Sequence, residues 1–309
     1  MEFLAPFLAQ SQTSPTVNFI DSIARTKISV IVIVCLVATI LRLAINPVLH
    51  RAPAHLRQSG NLRALRFATE LLDAIVYAGI FVFMVIRPFI LQTFVIPSGS
   101  MVPTLMVSDM IIANKWVYRF NEPERGDIVI FRPPALAIEQ GPPGTAPDTS
   151  YIKRLLGVPG DVVEMDDNRL KLNGKFVEDK AMHFSLALNE RTFNPIEPTD
   201  VSANAVMDFK MVEQGGKLLA VQRYNSQGPT YLLVMGKMVT DPVEVDEIWK
   251  KPAAKIPDGK FLMVGDNRNN SGDGRFWGLV DRDDIIGRSE VIFFPVGRMS
   301  RTKSVTLGK

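Results

Sequence analysis

Cysteine and histidine are scarce in this chain of 309 residues, and their scarcity removes whole classes of chemistry. Cys35 stands alone inside an apolar run, which excludes an intrachain disulfide and a thiolate metal cluster. The histidines are His50, His55 and His183, none at the spacing of a zinc-hydrolase motif. No metal or organic cofactor is implied. Acidic residues are missing from 42–66, where Arg42, Arg51, Arg57, Arg63 and Arg66 gather. The tail 298–309 adds Arg298, Arg301, Lys303 and Lys309, again without an acid. Since the whole chain carries only +3, the remainder is net acidic. A nucleic-acid binder needs a basic face on its folded domain, so that class is set aside.

Charge is also absent from ISVIVIVCLVATIL, fourteen residues between Lys27 and Arg42. If Arg42 snorkels, the stretch extends to Ile45 and approaches the roughly 20 residues that span a bilayer. A second candidate, LLDAIVYAGIFVFMVIRPFI, keeps an uncharged core from Ala74 to Ile86, with Asp73 and Arg87 near the two interfaces. Buried core helices would show the same composition. A cleavable signal sequence fits poorly with Pro6, Pro15 and nearly thirty preceding residues. Two spans are therefore expected. The arginine-rich loop between them marks the cytoplasmic side, which puts both termini and everything from about residue 95 outside.

Beyond the spans no long 3.6-residue period appears; short apolar runs alternate with turn signals. DIVIF (127–131), YIKRLLGV (151–158), DVVEM (161–165), RLKLNGKFV (169–177), KLLAVQRY (217–224), TYLLVMG (230–236), KFLMVGD (260–266) and SEVIFFPV (289–296) read as strands. Asn173-Gly174 is a strong hairpin signal. The fold class expected is mostly β, an antiparallel sheet domain with an inserted subdomain, behind two transmembrane helices. Residues 133–150, with five prolines and two glycines, read as a flexible loop. The expected organisation is an N-terminal extracytoplasmic segment (1–27), a first span (28–45), a basic cytoplasmic loop (46–70) and a second span (71–93). A β domain (94–180 and 258–297) follows, interrupted by the inserted subdomain (181–257) and closed by a basic tail (298–309).

The turn IPSGSMVPTL, residues 96–105, places two serines where the second span hands over to the β domain. A serine hydroxyl is a weak nucleophile and needs a base within hydrogen-bond reach. His183 is the only histidine on the outer side, so a Ser-His-Asp triad would rest on it alone. A lysine is the other option. In water only about 0.04% of it is neutral at pH 7, so it must be desolvated to act as a base. Lys153 in YIKRLLGVPGD and Lys115 in MIIANKWVY both have apolar neighbours; Arg154 would point to the face opposite Lys153. A third stretch, VGDNRNNSGDGRFWG (264–278), is a polar turn after a strand, in which Asp273 and Arg275 could pair.

Together these stretches resemble the type I signal peptidases, or leader peptidases, membrane-bound Ser-Lys endopeptidases. SGSMVPTL matches the family's nucleophile box, RGDIVIF the next, YIKRLLGVPGD the lysine box and GDNRNNSGDGR the fourth, in the family's order. The resemblance implies that Ser100 is the nucleophile and Lys153 the general base. It implies that Ser98 joins the Ser100 N–H in an oxyanion hole and that Ser271 orients the lysine. Met101, Pro103 and Thr104 would shape the nucleophile turn, and Gly265, Asp266, Asp273 and Arg275 would support the site. Asn269 and Gly274 depart from the family's aspartate and serine at those positions, which implies altered support rather than lost activity.

The implied activity is removal of signal peptides from exported preproteins after A-x-A sites through an acyl-enzyme. The implied partners are preproteins and the lipid bilayer, without nucleic acid. The implied place is the bacterial inner membrane, with the catalytic domain on the periplasmic side. A narrow-substrate relative, such as a pilin maturase or a mitochondrial inner-membrane peptidase, shares the boxes. A non-catalytic, membrane-anchored β module would need neither Ser100 nor Lys153.

Overall fold

A computed structural model describes residues 28–51, 60–82, 91–141, 146, 148–182, 206–225, 230–302, 304–305 and 307. The described residues divide between Thr93 and Phe94 into two compact units. In the first, helix α1 runs Ile28–Arg51 and α2 runs Gly60–Ile80. Both boundaries differ from the expected ones. Helix α1 continues six residues past Ile45, through Pro47, and α2 begins inside the supposed loop. The residues 60–70 that carry Arg63 and Arg66 include two each of Leu, Ala and Arg, which favour helix once a neighbour is at hand. The helices are joined by an ion pair, Arg42 Nε to Asp73 Oδ1 at 2.7 Å. A Cβ on Gly79 would stand 3.0 Å from Cys35 Sγ, so glycine sets how closely they approach there. Among the described residues one helix, Ser29–Arg51, is long and apolar enough to cross a membrane. Part of the second expected span, 83–90, lies outside the described residues.

The second unit is mostly antiparallel β. Its strands are β1 (Leu91–Val95), which begins just before the division, β2 (Met110–Asn114), β3 (Ile128–Phe131), β4 (Tyr151–Gly157), β5 (Val163–Asp166), β6 (Arg169–Leu172), β7 (Lys175–Phe176) and β8 (Val206–Gln214). They continue with β9 (Lys217–Asn225), β10 (Tyr231–Val234), β11 (Lys237–Val239), β12 (Lys260–Val264), β13 (Val280–Asp281), β14 (Ile285–Phe294) and β15 (Ser300–Arg301). One sheet has the order β1-β2-β14-β3-β4-β12-β13, with β15 on β14; the other is β11-β10-β9-β8-β5-β6-β7. The expected boundary at residue 181 therefore needs correction, because β5–β7 share a sheet with β8–β11. Local patterning could not show that pairing, since Glu164 meets Lys210 across a long sequence gap.

Tight turns fix the second sheet's register. Asp167-Asn168, Asn173-Gly174, Gly215-Gly216 and Met235-Gly236 all have positive φ at both central positions, as type I′ hairpin turns require. The Pro-rich loop opens with a short helix, α3 (Ala135–Glu139), whose Ala137 is buried. Helix α4 (Pro242–Trp249), N-capped by Asp241, lays Val245 and Ile248 against Val212, Val221 and Leu232. Helix α5 (Gly274–Trp277) follows β12.

Among the described residues one cluster joins the two sheets: Leu156, Leu262 and Val264 from one, Val163, Met165, Phe209 and Ala220 from the other. Leu307 completes it at 3% exposure. The described part of the expected basic tail is thus a strap. Arg298 is tied to Asp109 at 2.8 Å, β15 pairs with β14, and Thr302 Oγ1 donates to Ser289 O at 2.5 Å. Lys303 and Lys309 lie outside the described residues. Leu307→Ala is expected to lower unfolding free energy by about 2 kcal/mol, the low end for a buried leucine because a chain end can relax. Urea unfolding followed by tryptophan fluorescence measures it.

Candidate active site

The turn between β1 and β2 is closed by its own backbone. Ile96 N–H donates to Asp109 O at 2.9 Å, and Ser108 N–H donates to Ile96 O at 2.8 Å. The Asp109 carboxylate takes Met106 N–H at 2.8 Å as well as both arms of Arg298. Met101 and Leu105 are fully buried against Ile96, Ile111, Ile128 and Ile130, which anchors the segment from below. Between these anchors Gly99–Met101 form one 3-10 turn, with Val102 N–H on Gly99 O. Ser100 sits in that turn, buried; Ser98 and Pro103 are exposed.

The loop after β12 clamps this turn. Asn267 donates from its backbone to Ser100 O at 3.1 Å and from Nδ2 to Gly99 O at 3.2 Å. Thr104 Oγ1 donates to Asp266 Oδ2 at 2.5 Å. The two segments pass closely at Gly265: a Cβ there would stand 2.2 Å from Ser271 Oγ and 2.6 Å from Ser100 O. No side chain fits at that position.

Lys153 comes from β4, an interior strand between β3 and β12. Alternation sends Ile152 and Arg154 to one face and Tyr151, Lys153 and Leu155 to the other, with the lysine 5.9 Å from the Tyr151 ring. Lys153 Nζ donates to Ser100 Oγ at 2.7 Å, and Ser98 Oγ lies 3.3 Å from the same oxygen. Lys153 is 5% exposed, and that burial pushes its pKa from 10.5 down to about 8. Asp273 and Asp266 resist the shift and Arg275 adds to it. At pH 7 about 9% of such a lysine is neutral, over two hundred times the fraction in water. Lys115 also has its pKa lowered, by partial burial and by Arg119, yet among the described residues it makes no hydrogen bond to a serine. His183 lies outside the described residues.

Buried charges frame the pair. Arg154 grips Asp266 with two bonds of 2.7 Å and donates to Gly126 O at 2.7 Å. Arg275 grips Asp273 with two bonds of 2.8 Å, and Asp273 accepts Gly265 N–H at 2.9 Å. Arg275 holds the Asp273 carboxyl below its usual range against the opposing effect of burial. Arg268 pairs with Asp179 and donates to Gly265 O. Ser271 Oγ is buried facing Asp273, whose charged form it favours, but completes no well-formed hydrogen bond among the described residues, to Lys153 or otherwise. Of the two departures, Gly274 packs so tightly that a Cβ would meet Leu262 and Met263 O at 2.8 Å. Asn269 keeps a buried Nδ2 without a partner among the described residues.

Sequence reasoning did not find Asn267, the Arg154–Asp266 grip or the Arg268–Asp179 pair. Only a polar residue inside an apolar strand hinted at Arg154. A cavity of about 690 Å³ lies elsewhere, walled by residues such as Glu124, Val158, Phe261 and Arg282, and includes neither Ser100 nor Lys153. Chemically, a hydroxyl bonded to an amine poised near neutral pH can surrender its proton while its oxygen attacks an electrophilic carbon.

The chain is similar over most of its length to known proteins. The family profile described as signal peptidase, peptidase S26, matches residues 68–294. A signal peptidase I of Leptolyngbya laminosa is 32% identical over 214 residues, covering 69% of this chain and 74% of its own. One from Pseudomonas aeruginosa is 30% identical, covering 72% of each chain. One from Aquifex aeolicus is 33% identical, covering 68% of this chain and 78% of its own.

Proposed function

The chain belongs to the signal peptidase family, peptidase S26, and from that premise we propose that Ser100 and Lys153 perform its reaction as a Ser-Lys dyad. The protein is a serine peptidase that removes signal peptides from preproteins. The observation that carries the dyad is the 2.7 Å bond between Lys153 Nζ and Ser100 Oγ, made by a lysine that burial has discharged in part. Neutral Lys153 takes the Ser100 proton as Oγ adds to the scissile carbonyl. The oxyanion is met by the Ser100 N–H and by the Ser98 hydroxyl, a pair of which each donor is worth roughly 10²–10³ in rate. The lysine ammonium then gives its proton to the departing amine, leaving an acyl-enzyme on Ser100. Water, deprotonated by the same lysine, releases the product and restores the serine.

Other residues act through these. Ser271, buried facing Asp273, would orient the lysine amine once its hydroxyl turns. Asp266, Asp273, Arg275, Gly265, Met101 and Pro103 hold the turn and the loop that flanks it. Ile96 and Met101 are candidates for the wall of a pocket sized for the small residue before the cut, in A-x-A substrates.

Two spans with the arginine-rich segment in the cytoplasm would put this site outside the membrane that the preprotein crosses. The apolar helix Ser29–Arg51 and the Arg42–Asp73 pair, at the ends expected to share one interface, support that arrangement. A nucleophile tethered there meets the cleavage site at high effective concentration.

Detergent-solubilised protein incubated with a preprotein, beside Ser100→Ala and Lys153→Ala, tests the proposal. Mass spectrometry of the new N-terminus should show cleavage after A-x-A in the parent and none in either variant. Cleavage surviving Lys153→Ala would remove the base. Failure of the parent on every preprotein would point to a narrow-substrate maturase or a binding module.

A further inference from the structure

Strand β9 carries a buried amide where its pattern calls for an aliphatic side chain. Leu218, Ala220 and Tyr224 face the cluster between the sheets, and Gln222 lies in the same row at 0% exposure. An amide in an apolar core is costly unless its polar atoms are bonded. Here both ends are. Gln222 Nε2 donates to Arg275 O at 2.9 Å, and its Oε1 accepts the Tyr224 hydroxyl at 3.1 Å. Tyr224 is held in turn by stacking on Tyr231, with ring centroids 5.2 Å apart and planes 6° from parallel.

The far end of this chain of contacts reaches the dyad. Arg275 is fully buried, and its guanidinium grips Asp273 with two bonds. Asp273 takes the N–H of Gly265, the residue packed against Ser100 O. The charged groups that act on Lys153 are Asp273, Asp266 and Arg275. Of the other ionisable groups nearby, Arg154 is spent on Asp266, Arg268 on Asp179, and Tyr151 presents its ring to the lysine.

We propose that Gln222, with Tyr224 behind it, is a positioning residue for the base: it fixes the Arg275 main chain so that the guanidinium stays on Asp273. This rests on Lys153 being the base. The second sheet then has a part in the reaction. It sets how much of the Asp273 charge the lysine feels. With Gln222 removed, Arg275 O loses the Gln222 bond, and the guanidinium, which also donates to Arg268 O at 2.9 Å, is held less firmly on Asp273. The less neutralised carboxylate favours the ammonium form of Lys153.

The test is the pH dependence of kcat/KM on a preprotein for the parent, Gln222→Met, Gln222→Leu, Tyr224→Phe and Lys153→Ala, with thermal melting as a check of folding. In the Gln222 variants the acid limb should move upward by roughly half a unit or more, which is about a three-fold loss at pH 7. The loss should fall on kcat rather than KM and vanish near pH 10. Tyr224→Phe keeps the stacked ring and should shift the limb the same way by less. It decides the matter if the Gln222 variants do not fold, and no shift in it would then overturn the proposal. Gln222 profiles that superimpose on the parent, or that fall equally at every pH, would overturn it while leaving the dyad intact. An active Lys153→Ala enzyme would overturn the dyad, and this proposal with it.

Discussion

Lys153→Met is expected to abolish cleavage and, at neutral pH, to stabilise the fold. The activity loss follows from removing a general base, about 10²–10⁴-fold or more. The stability gain follows from the cost of an ammonium in a buried site. Burial lowers the lysine pKa from 10.5 unfolded to about 8 folded. Between those values the unfolded chain holds a proton that the folded chain lacks, so this group makes stability rise with pH across the window. Below pH 8 the fold carries the full penalty, about 3 kcal/mol from a shift of that size. Methionine has similar volume and no charge. Its advantage should be about 3 kcal/mol at pH 7, on the order of 6–12 °C in Tm for a domain of this size, and should shrink toward zero near pH 10.5. Denaturant unfolding of parent and variant at several pH values measures the difference directly. A variant no more stable than the parent at pH 7 would mean that the lysine is not held charged in a dry site. The same desolvation that destabilises the fold supplies the neutral amine, the usual conflict between stability and activity at a working site.

The parts of this site that were legible in the sequence are those whose reasons are local. YIKRLL announced a strand through its apolar neighbours, and Lys153 could be placed on it with Arg154 opposite. Asn173-Gly174 announced its hairpin because few other residues tolerate positive φ at both central positions. Spacing could not choose between Lys153 and Lys115, because the choice depends on a hydroxyl 53 residues away from Lys153 in the chain. The resemblance made that choice. The sheet that holds β5 is hidden for the same kind of reason, since β5 reads as a strand whichever sheet receives it. Gln222 looked like an ordinary polar residue in KLLAVQRY; only the packing of two sheets shows that its amide has nowhere else to go. The strap at Leu307 was hidden by the basic residues around it. Its anchor is a single apolar side chain whose partners come from both sheets.

Asp266→Ala is expected to destabilise the protein by about 3–5 kcal/mol, the usual consequence of stranding a buried charge. Its partner Arg154 is 1% exposed and spends two of its nitrogens on this carboxylate, with a third on Gly126 O. Replacing both partners, Arg154→Met with Asp266→Leu, should recover most of that loss, because an ion pair in the interior contributes little beyond the desolvation it must offset. Activity should not recover with it. Thr104 would still lack the acceptor that ties the Ser100 turn to the loop after β12. Lys153 would also lose one of the two carboxylates that hold its pKa up, so the acid limb of the pH profile should move downward. A double variant that folds like the parent, turns over far more slowly and titrates lower would assign the pair to positioning. Parent-like turnover in that variant would reduce Arg154 and Asp266 to replaceable packing, and would leave the turn to be held by Asn267, the Asp109 bonds and the apolar anchors of Met101 and Leu105.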